Sequence, residues 1–326
     1  MTTVVTTSPG FGKHGRVPDL IAARGWEFIR CADNDALTPH LERADILVVG
    51  LPPVDEAILA RAPRLKAVLK HGVGVDNIDI PACTAHGLPV CNTPAANADA
   101  VAELAVGLLY ALARHIPQGH ASVTSGGWNR VVGRQLGGKT LGIIGLGNIG
   151  KRLAKLAQGI GMTVIAHDAY PDTAYATAHG IRLTSLEELL AHADYVSLHI
   201  FGGKDNTALI NARTLAQMKP GACLINLARG EVIDLNAVYD ALQAGHLGGV
   251  AIDAYIQEPP DTSHPIFRHA NAIFTPHSGA DTLEALENVG LMVIDSIDAV
   301  LRGDTPPHCL NAGELPPRQT PTTETP

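Results

Sequence analysis

Arg229 follows the apolar run CLINLA, Glu258 sits in AIDAYIQEPP soon after a second such run, and His277 lies in FTPHSG at the end of a third. Runs of this kind read as buried strands of a parallel sheet, and in open α/β sheets ligands collect beyond the carboxyl ends of the strands. A guanidinium can hold a carboxylate in a two-pronged fork and polarise a neighbouring oxygen. An imidazole can exchange a proton with that oxygen near neutral pH, while a carboxylate beside it orients the ring and favours its protonated form. Taken singly, each residue has a plainer role: a surface ion pair for Arg229, a loop acid for Glu258, a satisfied turn histidine for His277. As a set near a nicotinamide, they are what hydride transfer to or from a 2-hydroxy acid requires.

A nicotinamide site is legible upstream. GIIGLGNIGKRLAKLAQGIGMTVIAHD contains Gly145, Gly147 and Gly150 in GxGxxG spacing, with an apolar run before it and a helical pattern after it. The glycines let backbone approach a pyrophosphate, and the helix start offers unpaired N–H groups and the positive end of its dipole. The next run, TVIAHD, ends in Asp168, close to the spacing expected of an acid that accepts from ribose hydroxyls. Its charge disfavours a 2′-phosphate and no Arg follows in DAYPD, so the expected cofactor is NAD.

The elements that must carry these residues alternate from the start. TTVVTT, EFIRC, DILVVG, LKAVLKHG and LPVCNTP read as strands, with helices around RVPDLIAARG and LTPHLERA. Residues 95–116 read as one long helix. After the Gly-rich SGGWNRVVGRQLGGKT, six more strand runs follow (TLGIIGL, TVIAHD, YVSLHI, ACLINLA, GVAIDA and AIFTPH), then a long helix over 282–303. Two long helices bracketing an α/β series mark that series as an insertion.

Composition narrows the class. Among 326 residues, 46% are hydrophobic and 17% charged, which excludes disorder for the bulk of the chain and leaves room for two lobes. No apolar run is long enough to span a bilayer. The net charge of −8, with basic residues scattered, argues against nucleic acid. Five widely spaced cysteines without a CxxC pair argue against a disulfide framework and a thiolate zinc site, and no HExxH or similar cluster points to a metal. With no secretory signal in MTTVVTTSPGFGKHG, a cytoplasmic location is expected. Residues 314–326, rich in Pro and Thr, are expected to form a disordered tail.

HGVGVDNID, NTPAANADAVAE, GIIGLGNIGKRLA, NLARGEVID, AIDAYIQEPP and TPHSGADT together resemble the D-isomer-specific 2-hydroxyacid dehydrogenases, especially the branch similar to D-3-phosphoglycerate dehydrogenase. The likeness extends to about residue 313. It implies an α/β fold of two Rossmann-like and flavodoxin-like parallel-sheet domains with a cleft between them: a discontinuous substrate domain, 1–97 plus 284–313, and an NAD-binding Rossmann domain, 98–283. It implies catalytic roles for Arg229, Glu258 and His277. It also implies cofactor contacts at Gly145, Gly147, Asn148, Ile149, Gly150, Asp168, His199, Phe201, Leu227, Ala228, Asp253 and Gly279, Asp253 facing the nicotinamide amide.

For the substrate, the resemblance implies Val73 and Gly74 backbone with Asn97 nearby, beside Arg229 and His277. Lys70 and His71 become candidates for a second anionic group, as in 3-phosphoglycerate or sulfolactate. A homodimer built on the nucleotide lobe is also implied. Phe201 and Gly203 depart from the residues relatives commonly carry, and no regulatory amino-acid-binding domain is expected after the tail. The same resemblance extends to co-repressors that sense NAD(H) as interaction proteins, which supplies an alternative function.

Overall fold

The computed structural model describes residues 1–315 and divides into two compact units, Met1–Asn97 with the chain from Thr282 onward, and Ala98–Asp281. Residues 316–326, most of the expected tail, lie outside the described residues, whereas Glu314 closes a turn onto the Asn311 carbonyl.

The first unit carries β1 (Thr3–Thr6), β2 (Glu27–Arg30), β3 (Ile46–Val49), β4 (Ala67–Lys70) and β5 (Val90–Cys91), all parallel, in the order β2-β1-β3-β4-β5. Both faces of the sheet are covered, which is why its central strands are apolar without interruption. Val5, Leu47 and Val68 face one apolar cluster, while their alternating neighbours Val4, Ile46, Ala67 and Leu69 face another completed by Val293, Ile294 and Ile297 of the helix Leu283–Arg302. That helix starts on Thr282, whose side chain accepts from the Ala285 N–H, and stops at Gly303 with φ 85°. A left-handed glycine there ends the helix without steric cost.

The second unit holds β6 (Thr140–Ile144), β7 (Thr163–His167), β8 (Arg182–Leu183), β9 (Tyr195–Leu198), β10 (Ala222–Asn226), β11 (Leu247–Ile252) and β12 (Ala272–Phe274), in the order β12-β11-β10-β9-β6-β7-β8. All pairs are parallel. Six of the seven strands match the apolar runs; β8 is two residues long, too short to show a pattern. The strand order reverses between β6 and β9, the switch point at which open α/β sheets bind ligands.

One expected element is corrected. Residues 95–116 do not form a single helix: it runs Ala98–Arg114, His115 takes a left-handed φ of 53°, and a second helix, Ile116–Thr124, leaves at 65°. Apolar spacing cannot report one residue's switch to the left-handed region, but Pro117, seated in the first turn of the new helix, fits a restart because it lacks the N–H that a continuing helix would need. Among the described residues, no single helix is long and apolar enough to cross a membrane.

Candidate active site

At the switch point β6 runs into the glycine loop. Gly145 has φ 97°, and a Cβ there would collide with the His199 carbonyl oxygen past β9; a Cβ on Gly150 would collide with the Gly145 oxygen. Both positions are therefore glycine for reasons of the protein's own packing. Gly147 differs, because nothing of the protein lies within 4 Å of a Cβ built on it. It is also the N-cap of the helix Asn148–Gly159, and no side chain caps that start. Asn148 is exposed there, whereas Ile149 packs on the core below.

Asp168 follows β7 and is tied to this loop: its Oδ2 accepts from the Leu146 N–H at 2.7 Å and its Oδ1 from the Tyr170 N–H at 2.8 Å. Each carboxylate oxygen retains a second lone pair for a hydroxyl donor. His199 meets Ser197 Oγ through Nε2 at 2.8 Å, while its Nδ1 is buried without a hydrogen-bond partner. Burial pushes this imidazole down to about 4, so the ring is neutral. An uncapped helix start, an open glycine side, a partly exposed acid and an orphaned ring nitrogen together fit a dinucleotide. Phe201 stands 73% exposed at the rim, and Gly203 beyond it takes φ 105°.

Arg229, Glu258 and His277 lie past the neighbouring strand ends of β10, β11 and β12. Buried Asn226, the last residue of β10, accepts from the Ala228 N–H at 3.1 Å through Oδ1 and donates through Nδ2 to the Arg229 carbonyl at 2.9 Å. This closes the turn that presents Arg229, with Leu227 and Ala228 buried beneath it. Arg229 also donates to the Ala228 carbonyl at 2.8 Å. A Cβ on Gly230 would run into both the Ile256 nitrogen and the Tyr255 carbonyl carbon, so only glycine lets the turn after β10 lie against the 254–258 loop after β11. That loop carries Glu258.

Glu258 Oε1 pairs with His277 Nδ1 at 2.7 Å and accepts from the Tyr255 N–H at 3.1 Å. With Nδ1 directed at a carboxylate, the ring carries its proton there and leaves Nε2 for a ligand. His277 has a left-handed φ of 52°, costly for a non-glycine residue, and buried Asp253 holds the surrounding turn in place. Asp253 Oδ1 accepts from Thr275 Oγ1 at 2.5 Å and from the Ser278 N–H at 2.9 Å, and Oδ2 accepts from the Gly279 N–H at 2.9 Å. Asp253 thus anchors the segment that carries His277, a task its position gave no hint of. Tyr255 adds a second clamp, donating to the Ile252 and Thr275 carbonyls; burial pushes its phenol up to about 12.

In the first unit, β4 delivers Lys70 and His71. Lys70, expected to meet a substrate's second anion, is 8% exposed, and its Nζ donates at 2.7 Å to both the Gly50 carbonyl and Asn77 Oδ1. Asn77 in turn donates to the carbonyls of Gly50, Leu51 and Pro52, so the pair fastens the 50–52 loop to the segment following the Gly72–Gly74 turn. His71 contacts Ser8 Oγ through Nδ1 at 3.0 Å, and its buried Nε2 has no partner. Burial first, then the nearby Lys70 charge, pushes it down to about 4. The turn bearing Val73 and Gly74 is held by Asn92 Nδ2 on the Val73 carbonyl at 2.8 Å and the Thr93 N–H on the Gly72 carbonyl at 3.0 Å. Thr93 Oγ1 and Asn97 Oδ1 are also buried without partners.

A seven-stranded parallel sheet with a glycine loop at its switch point and an acid past the next strand defines a dinucleotide-binding α/β protein. The family model of the D-isomer specific 2-hydroxyacid dehydrogenase NAD-binding domain matches residues 106–279, and the chain belongs to that family. It is 39% identical over 303 residues to D-3-phosphoglycerate dehydrogenase of Mycobacterium bovis, covering 91% of this chain and 57% of that protein. The enzyme of the same name from Methanocaldococcus jannaschii is 39% identical over 287 residues, covering 87% of this chain and 55% of that one. The chain therefore spans little more than half the length of these relatives. Among solved structures, the TT0316 protein of Thermus thermophilus superposes with a TM-score of 0.86 at 34% identity, covering 95% of this chain and all of that one. A D-lactate dehydrogenase from Aquifex aeolicus, complexed with NAD and lactic acid, gives 0.83 at 29% identity, covering 93% and 96%.

Proposed function

We propose that this chain is an NAD-dependent dehydrogenase interconverting a D-2-hydroxy acid and its 2-oxo acid. The observation that carries this reading is the Glu258–His277 contact at 2.7 Å, held on neighbouring strand ends with Arg229 of the same sheet. The residues that would hold NAD are Gly145, Gly147 and Gly150 with the helix start behind them, Asp168 for the ribose and the loop after β9. When bound, NAD supplies the acceptor for the hydride. Arg229 grips the substrate carboxylate and polarises the C2 oxygen. His277 Nε2 takes the proton from the C2 hydroxyl in oxidation and returns it in reduction. Glu258 fixes the ring and stabilises its cationic form, while Asp253 positions the backbone beneath it.

On the substrate side we assign the Val73–Gly74 turn, Asn97 and His71, supported by the orphaned polar atoms of His71, Thr93 and Asn97. The inward engagement of Lys70 by the Gly50 carbonyl and Asn77 favours a small acid over 3-phosphoglycerate or sulfolactate. A purely NAD(H)-sensing role draws support from no feature of this site.

A homodimer is supported by the apolar residues exposed on the second unit along Tyr110, Ile116, Val123, Trp128, Val131 and Val132. Trp128→Glu is expected to shift the mass measured by light scattering towards the monomer.

The activity is tested by following NADH absorbance with pyruvate, glyoxylate, hydroxypyruvate, oxaloacetate, phosphohydroxypyruvate and sulfopyruvate. Turnover of a member without a phosphate or sulfonate is expected, and Arg229→Lys is expected to lower kcat/KM about 100-fold by losing the fork while keeping the charge. Tight NADH binding with no turnover of any oxo acid would count against the reading.

A further inference from the structure

We propose that Cys91 and Cys309 are a redox-active pair that closes to a disulfide when a peroxide reaches the protein. Cys91 ends β5, the edge strand of its sheet, and Cys309 stands opposite it in an isolated antiparallel bridge. The Leu310 N–H donates to the Val90 carbonyl at 2.8 Å, a bond that flanks the cysteines and makes them a non-hydrogen-bonded pair. Such pairs have Cα atoms about 4.5 Å apart and side chains on one face, within the range of about 4.4–6.8 Å that a disulfide spans. Consistent with a shared face, Cys91 and Cys309 pack into the same apolar cluster as Val4, Leu69 and Val293.

The register is pinned. Buried Asn311 accepts from the Val90 N–H at 2.9 Å, donates to Thr84 Oγ1 at 2.8 Å and to the Leu88 carbonyl at 2.9 Å, and its Oδ1 takes Cys309 Sγ at 3.4 Å. The facing positions 91 and 309 are held in place rather than brought together by chance.

Cys309 is half-buried, whereas Cys31, Cys83, Cys91 and Cys223 are buried. Burial raises the thiols of Cys31, Cys83 and Cys223, the latter two to about 11, which keeps them from reacting as thiolates. Cys309 is therefore where the oxidant arrives. Its sulfur attacks one peroxide oxygen, the O–O bond breaks, and a sulfenic acid and one water form. The Cys91 sulfur then displaces the sulfenic oxygen, the S–S bond forms, and a second water carries away the last thiol proton. Two electrons pass from the two sulfurs to the peroxide. The link ends next to Asn92 and Thr93, which hold the Gly72–Gly74 turn.

The test is peroxide treatment of the full chain followed by thiol titration, non-reducing peptide mapping and thermal melting. The expected result is a fall from five thiols to three, a cross-linked peptide pair containing residues 91 and 309, and a rise in melting temperature that a dithiol reverses. Cys309→Ser and Cys91→Ser should each abolish the cross-link and the rise; were either to fold poorly, mapping of the unaltered protein decides alone. Five surviving thiols, a link between any other pair, or over-oxidised Cys309 without a link would overturn the proposal.

Discussion

At the scale of single residues, the proposed site divides into groups assigned to a ligand and groups that aim them. His277 is assigned the proton, so His277→Ala is expected to lower kcat by about 10²–10⁴ while leaving NADH affinity, read by fluorescence titration, nearly unchanged. Glu258→Gln keeps the ring contact but loses the charge that stabilises the imidazolium, and a smaller fall in kcat is expected. His71 and His199 give a pH signature of a different kind. Both native rings stay neutral down to about pH 4, whereas in the unfolded chain they titrate near 6.5. Between those values the unfolded state binds more protons, so stability is present above pH 6.5 and is lost as pH falls towards 4, by on the order of 3 kcal/mol for each ring. His199→Gln should flatten the fall in urea midpoint between pH 7 and 4.5; an unchanged slope would contradict the assignment. The pairing of Glu258 with His277 was legible in the sequence because a carboxylate and an imidazole past neighbouring strand ends can meet. Asp253 as the anchor of the His277 turn and Lys70 as an internal clasp were not, because an acid or a lysine past a strand looks the same whether it faces a ligand or the backbone.

At the scale of elements, glycines separate packing from ligand approach. Gly147→Ala adds a methyl into open space and should leave the melting temperature unchanged, yet weaken NADH binding by tenfold or more. Gly230→Ala drives a methyl into the backbone of Tyr255 and Ile256; it should displace the Glu258 loop and lower both melting temperature and turnover. Equal effects of the two substitutions on stability would refute the distinction. Most strands were legible because burial on both faces leaves an unbroken apolar run, and the glycine loop because its backbone needs restrict residue type. The break at His115 and the two-residue β8 were not, since each depends on tertiary context that periodicity over a window averages away.

At the scale of the whole chain, the second unit is one continuous segment with its own two apolar clusters, and the helix Ala98–Arg114 packs into one of them. A fragment of residues 98–281 is expected to fold and bind NADH with an affinity within about tenfold of the full chain, measured by fluorescence; an unfolded fragment by circular dichroism would contradict this. The first unit has no such option. All its strands lie before residue 97, but one sheet face is covered by the helix Leu283–Arg302. On a ribosome adding about 5–20 residues per second, Val4, Ile46 and Leu69 wait on the order of 10–60 s for Val293 and Ile297 to emerge. During synthesis the inserted unit can mature while the sheet that precedes it still shows a bare apolar face, so the earlier-made unit is finished after the later one and is the one for which a chaperone's hold matters more.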